Sequence, residues 1–182
     1  FSARAAGGNL LNYPKQIRTG SVFSSRENLL AAASSIIRYH QARNEMPSSL
    51  GLSDPTVLNG FLRDFCVLDT AGGRICDGFL PFNSSLEQLP NLWRLKEFAG
   101  NNLDVESSAA SDSAIADLLA HGSPVLLSLA LSDARGVFGT HFVVATGVAA
   151  DGGIVIHDPD PLLNRQRLGD YTTGFSQGGN QW

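Results

Sequence analysis

The sequence is poor in charge, and it has no excess of basic residues. Charged residues make up 16% of the 182 residues, hydrophobic residues make up 43%, and the formal net charge is −4. A protein that binds nucleic acid carries a basic face, so this composition argues against a nucleic-acid partner. No apolar stretch approaches the roughly 20 residues that span a bilayer, so we expect no membrane span. The composition predicts one globular domain, residues 1–182, with its own core.

The chain lacks an initiator methionine and a charged lead into an apolar segment. It begins FSARAAGGNL and ends GFSQGGNQW. We interpret it as a fragment or a mature segment from which an export signal has been removed. The glycine-rich end favours a C-terminal extension, or a linker to a further domain, over residues 162–182.

Cysteine is scarce: the chain has two, Cys66 and Cys76. They flank the turn signal DTAGG, which would fold the segment back and bring the two sulfurs together. We expect a structural disulfide, which would stabilise the fold by roughly 2–3 kcal/mol; a metal or redox pair and two free thiols are the alternatives. Because disulfides persist outside the cytosol, we expect a secreted or extracellular protein.

Helix signals come first along the chain and strand signals follow, which is typical of an α+β fold. Apolar periodicity, caps and stops predict helices over 24–43, 53–65 and 111–122. Apolar runs predict strands over 125–131, 141–148 and 153–158, the last two joined by an Asp-Gly-Gly hairpin turn. The stretch 66–103 is predicted to be irregular, apart from a short helix within 86–100.

A histidine and an aspartate are placed to meet in the predicted hairpin. His141 opens one strand and Asp158 closes the next, and the two ends of a hairpin are neighbours. An imidazole oriented by a carboxylate is the arrangement that a general base requires. The competing interpretation is structural, with a histidine at a strand edge and a turn aspartate before Pro159.

The same stretch, HDPDP, also offers a candidate cation site. Carboxylate oxygens from Asp158 and Asp160, beside His157, suit calcium. Two prolines at such short spacing favour a rigid turn instead. We therefore predict neither a metal nor a cofactor.

The order of these elements resembles the papain-like cysteine peptidases, in particular the double-glycine leader peptidases that process bacteriocins. The segment NYPKQIRTG precedes an apolar helix ending IIRYH, GSPVLLSL precedes the histidine strand, and the following strand ends in Asp-Pro. The resemblance covers about residues 11–161. It implies a papain-like α+β fold, with an N-terminal helical half packed on a C-terminal antiparallel sheet.

The resemblance also assigns site residues. Gln16 matches the oxyanion-hole glutamine, His141 the general base and Asp158 the orienting acid. The nucleophile slot falls at Asn28 or an immediate neighbour, and neither Glu27 nor Leu29 offers a hydroxyl or a thiol. An amide cannot do the work of a thiolate, so the resemblance implies a site without its nucleophile.

Other nucleophiles remain open at this point. Ser24 and Ser25 stand at the start of the helix, where an N-cap role also explains them, and Cys66 or Cys76 could supply a thiol.

The sequence is compatible with three functions. The first is a catalytically impaired peptidase-like domain whose cleft binds an extended peptide or an adjacent domain of the same polypeptide. The second is an active cysteine-peptidase-like hydrolase that uses a serine or a misplaced thiol, and the third is a structural spacer.

Overall fold

The structure, a computed structural model, describes residues 25–46, 53–81, 88–100, 103, 105–134, 136–177 and 180–181. Its helices are α1 (Ser25–Ala42), α2 (Pro55–Asp64), α3 (Leu95–Phe98), α4 (Asp112–Ala120) and α5 (Gly169–Thr172). A 3-10 turn at Leu92–Arg94 leads into α3. The strands are β1 (Val67–Leu68), β2 (Arg74–Ile75), β3 (Phe79–Pro81), β4 (Gln88–Pro90), β5 (Val125–Asp133), β6 (Gly136–Val148), β7 (Ile154–His157), β8 (Ser176–Gln177) and β9 (Asn180–Gln181).

Helix α1 lies between the helical and the sheet halves of the molecule. Its middle is built of alanines, which favour helix most strongly and allow close packing. Leu30, Ala33 and Ile37 pack with α2 and α3 in one apolar cluster. Leu29 and Ala32 pack against β6 in another. The helix is therefore buried on both sides, and it joins the two halves.

The caps of α2 and α4 confirm the helix starts that the sequence predicts. The Asp54 side chain accepts a hydrogen bond from the Thr56 N–H at 2.7 Å. The Ser111 hydroxyl accepts one from the Ala114 N–H at 3.2 Å. Each bond satisfies a backbone donor that the first turn of a helix leaves without an intrahelical partner. Gly122, at φ +83°, lies just beyond the end of α4, as a glycine stop signal predicts.

The main sheet has the strand order β5-β6-β7, and both of its pairings are antiparallel. One face of β6 packs on α1 through Phe142 and Val144. The other face, which includes Val143, packs on α4 and Leu168. The predicted strands are present, but the expectation that His141 opens its strand is wrong. Strand β6 begins at Gly136, because the hairpin with β5 continues through glycines that read as loop in the sequence.

The middle of the chain is more regular than the sequence predicts. Strands β1 and β2 pair with each other, as do β3 and β4. Strands of two or three residues are too short to show a periodic pattern, so the prediction of an irregular stretch is wrong there. The disulfide between Cys66 and Cys76 is present, as predicted, and it closes the β1–β2 hairpin. No cysteine is left as a free thiol, which removes the thiol alternative.

Beyond β7 the chain turns back onto the sheet. The Ile156 N–H donates to the Gln166 carbonyl at 2.9 Å, and the Leu168 N–H donates to the Ile154 carbonyl at 3.0 Å. Leu168 is buried in the sheet cluster. Part of the stretch 162–182, predicted to be an extension or a linker, therefore covers the outer edge of β7.

The described residues form an α+β fold, with helices and small antiparallel sheets, as predicted. Among them, no helix combines the length and the apolar character needed to cross a membrane. The disulfide is compatible with the expected location outside the cytosol.

Candidate functional site

His141 and Asp158 meet in the interior of the molecule. The imidazole Nε2 lies 2.9 Å from the Asp158 Oδ1, and both side chains are 0% exposed. Strand β7 ends at His157, which pairs with Val144. The chain that continues past His157 runs antiparallel to β6, toward His141. The contact predicted from the hairpin is present, and the catalytic role assigned to it stays a prediction.

The Asp158 carboxylate accepts hydrogen bonds at both oxygens. Oδ1 accepts from the Asp160 N–H at 2.9 Å, in addition to His141. Oδ2 accepts from the Arg165 N–H at 3.0 Å and from the Tyr171 hydroxyl. A carboxylate with donors at both oxygens is fixed in orientation as well as in position.

These donors decide the charge state of Asp158. Burial alone would raise the pKa of its carboxyl, but hydrogen bonds from His141, Tyr171 and the Asp160 N–H, with the favourable charge interaction of His141, bring the pKa below its ordinary value. The carboxylate is therefore ionised at neutral pH, and an ionised carboxylate only accepts hydrogen bonds. The proton of the contact lies on Nε2 of His141.

Asn28 lies beside the pair, on the second turn of α1. Its side chain is 0% exposed, and its Oδ1 accepts the Phe142 N–H at 2.5 Å. Since β7 has ended at this level of the sheet, the Asn28 amide takes the place of a strand partner for β6. The residue that the resemblance puts in the nucleophile slot thus contacts the backbone next to His141, and it offers no nucleophilic atom.

The start of α1 carries one further candidate. Ser25 is 3% exposed and lies three positions before Asn28, which places the two side chains on the same face of the helix. Ser24 and Gln16 lie outside the described residues, so the oxyanion role assigned to Gln16 stays a prediction.

Tyr171 and its neighbours form a part of the site that sequence reasoning missed. The Tyr171 ring lies 5.4 Å from the His141 ring, and Phe175 packs edge-on against Tyr171 at 5.3 Å between centroids. The Arg165 guanidinium lies 4.7 Å from the centroid of Phe175. No motif marks these residues, because a lone tyrosine on a one-turn helix carries no pattern.

The Asp-Pro stretch builds a turn. Asp160 is 0% exposed, and its Oδ1 accepts the Leu162 N–H at 2.8 Å. An aspartate that accepts from the backbone two residues on is a common turn device. Among the residues described, no group of three or more His, Cys, Asp or Glu side chains is arranged to hold a metal.

The site is therefore a buried histidine hydrogen-bonded to a buried aspartate, next to the start of α1. Comparison of the chain with protein-family models, with curated proteins and with solved structures finds no match.

Proposed function

We propose that this chain is a papain-like, peptidase-like domain of an exported protein that has lost its nucleophile and binds an extended peptide without cutting it. His141 and Asp158 are the remnant of a catalytic triad in this proposal. The occupant of the cleft is a peptide, supplied by another chain or by an adjacent domain of the same polypeptide.

One feature supports this proposal above the others: the slot that the resemblance assigns to a thiol, at Asn28 or an immediate neighbour, holds no Cys, Ser or Thr. His141 and Asp158 are hydrogen-bonded at 2.9 Å, which is the contact that the resemblance assigns to a base and its orienting acid. The neighbouring helix presents an amide whose oxygen is already engaged with the backbone of β6. Such a site has kept its proton-accepting half and has no thiolate for it to serve.

A second candidate is hydrolysis with Ser25 as the nucleophile. The observation that favours it is the position of Ser25, buried in the first turn of α1 and one turn before Asn28 on the same face. A serine needs a base within hydrogen-bond reach to attack. This candidate therefore requires that Ser25 be activated by His141.

Thiol reactivity tests the remnant triad. Because both natural cysteines are in the disulfide, the wild-type protein has no free thiol, and Asn28→Cys introduces a single one. We expect Asn28→Cys to react with iodoacetamide at pH 7 about ten times faster than Ser35→Cys, because a helix start and a nearby histidine lower a thiol pKa. Ser35 is a matched control, since it is equally buried on α1 but two turns farther along the helix.

Adding His141→Ala to Asn28→Cys should bring its rate down to that of the Ser35→Cys control. Equal rates for the two single variants, in folded protein by circular dichroism, would contradict the remnant triad. Labelling of the wild type by a fluorophosphonate probe, lost in Ser25→Ala, would favour the hydrolase.

Peptide binding is tested directly by fluorescence anisotropy. A fluorescein-labelled peptide ending in Gly-Gly should bind saturably and remain intact by mass spectrometry. The same peptide ending in Pro-Pro is the control and should bind more weakly. Cleavage would contradict a non-catalytic domain, and the absence of binding to either peptide would favour the structural spacer.

A further inference from the structure

We propose that Tyr171 is a positioning residue for the His141–Asp158 pair, and that it holds the carboxylate in the orientation in which Oδ1 accepts the hydrogen bond from Nε2 of His141. The inference deepens the proposed function and rests on it, because it concerns how the same remnant site is kept in order. It assigns the segment after β7 to the site.

The two oxygens of the Asp158 carboxylate face different partners. Oδ1 faces His141, and Oδ2 faces away from it, toward Arg165 and Tyr171. The two oxygens of an ionised carboxylate are equivalent, so the donors fix the plane of the carboxyl group. A partial rotation would move Oδ2 out of line with the Arg165 N–H and the Tyr171 hydroxyl, and each would lose its acceptor inside the protein.

Tyr171 is itself held in place by packing. The Leu168 side chain is 9% exposed and packs in the sheet cluster, just before the one-turn helix that carries Tyr171. Phe175 packs edge-on against the Tyr171 ring on one side, and the His141 imidazole lies near it on another. The hydroxyl therefore reaches Asp158 from a packed ring.

The Tyr171 hydroxyl stays protonated and remains a hydrogen-bond donor. Burial raises the pKa of its hydroxyl, and the negative charge of Asp158 raises it further. Asp160 also raises it and Arg165 lowers it. Among the described residues, the charged and titratable groups around the Tyr171 hydroxyl are Asp158, His141, Asp160 and Arg165.

The test compares Tyr171→Phe with Tyr39→Phe. Tyr39 is a matched control, because its hydroxyl also donates from a well-packed ring, at 2.6 Å to the Gly122 carbonyl, far from the pair along the chain. The readouts are the carboxyl carbon shift of Asp158 against pH and the imidazole nitrogen shifts of His141, which report which nitrogen carries the proton.

Removal of the Tyr171 hydroxyl should raise the pKa of Asp158 by roughly 0.5 to 1 pH unit, since one donor to the ionised form is lost. The Nε2 proton of His141 should exchange with water several times faster, since the carboxylate is held less firmly. Tyr39→Phe should change neither quantity. A purely structural role for Tyr171 would lower stability without these spectroscopic changes.

Unchanged spectra in folded Tyr171→Phe would overturn the proposal. Should that variant fail to fold, incorporation of 3-fluorotyrosine in a background with both Tyr13→Phe and Tyr39→Phe labels Tyr171 alone, preserves the ring and makes the hydroxyl a stronger donor. The pKa of Asp158 should then fall, and an unchanged pKa would overturn the proposal equally. Neither readout requires a peptide or an added thiol, so the positioning role and the proposed function can fail separately.

Discussion

The protein contains two hairpins with the same turn and very different surroundings. In the disulfide hairpin, β1–β2, the Asp69 N–H donates to the Gly73 carbonyl at 2.8 Å. In the site hairpin, β6–β7, the Ala149 N–H donates to the Gly153 carbonyl at 2.8 Å. In each turn the fourth residue is a glycine with positive φ, +82° and +85°. The backbone hydrogen bonding of the two turns is nearly identical.

The two hairpins differ in the interactions that hold their strands together. The strands of the disulfide hairpin have two residues each, and all four are exposed. A disulfide closes it, because it has almost no apolar burial to contribute. The site hairpin instead includes Val143 at 0% exposed and Ile156 at 5%. A turn can thus start a hairpin, but either a covalent bond or a packed core must keep it closed, and only the packed hairpin carries a buried polar pair.

The largest expected effect comes from breaking the core of the site hairpin. Ile156→Ala should lower the free energy of unfolding by about 2–5 kcal/mol, because it leaves a cavity in a packed cluster. Ile75→Ala is the matched change in the disulfide hairpin, where the side chain is 47% exposed. It should cost less than about 0.5 kcal/mol. Urea unfolding measures both, and similar costs would contradict the contrast.

The second effect comes from removing the disulfide. Replacing Cys66 and Cys76 together by serine should lower the free energy of unfolding by about 2–3 kcal/mol, since a short loop is no longer closed in the unfolded chain. Amide hydrogen exchange should accelerate in β1 and β2 and stay slow in β6 and β7. Loss of protection across β6 would show that the two hairpins are not independent.

The third effect is a dependence of stability on pH. The pKa of Asp158 is lower in the folded protein than its ordinary value of 3.8. Its contribution to stability is therefore present above that value and is lost as the pH falls through the folded pKa. Between about pH 5 and about pH 2 the wild type should lose more stability than Asp158→Asn. The difference should be about 1.5 kcal/mol, the contribution of a charge-assisted hydrogen bond.

Asp151→Asn is the control for the pH experiment. Asp151 is bonded to Arg167 at 2.5 Å, but it lies in the exposed turn of the site hairpin. An exposed ion pair is screened by water and contributes little. The acid unfolding curve of Asp151→Asn should follow that of the wild type. A curve like that of Asp158→Asn would show that the acid sensitivity does not arise from the His141–Asp158 pair.

The smallest effect concerns the shared turn. Gly72→Ala and Gly152→Ala should each cost about 1–2 kcal/mol, because a side chain at positive φ is strained. No other atom of the described residues lies within 4 Å of the added methyl at either position, so the cost is conformational and should be equal in the two hairpins. Gly169→Ala, equally open and without positive φ, should cost almost nothing. Unequal losses of stability in Gly72→Ala and Gly152→Ala would show that the surrounding structure affects the conformation of the turn.

Much of the fold could be predicted from local signals. Asp54 and Ser111 cap the helices that they were expected to cap, and the two cysteines form the disulfide that their shared turn suggested. The contact between His141 and Asp158 follows from strands adjacent in sequence. Each of these involves residues close along the chain, or joined by one turn, where propensity and turn chemistry decide the outcome.

The remainder depended on contacts between distant parts of the chain. The hydrogen bond from the Phe142 N–H to Asn28 joins residues 114 positions apart, and Tyr171 reaches Asp158 only because the chain folds back along β7. The sequence by itself determined the helices, the turns, the disulfide and the α+β class, because their signals are local. Only the tertiary structure decided which side chains surround the buried pair, since packing between the sheet and α1, and between the sheet and the segment after β7, brings them together.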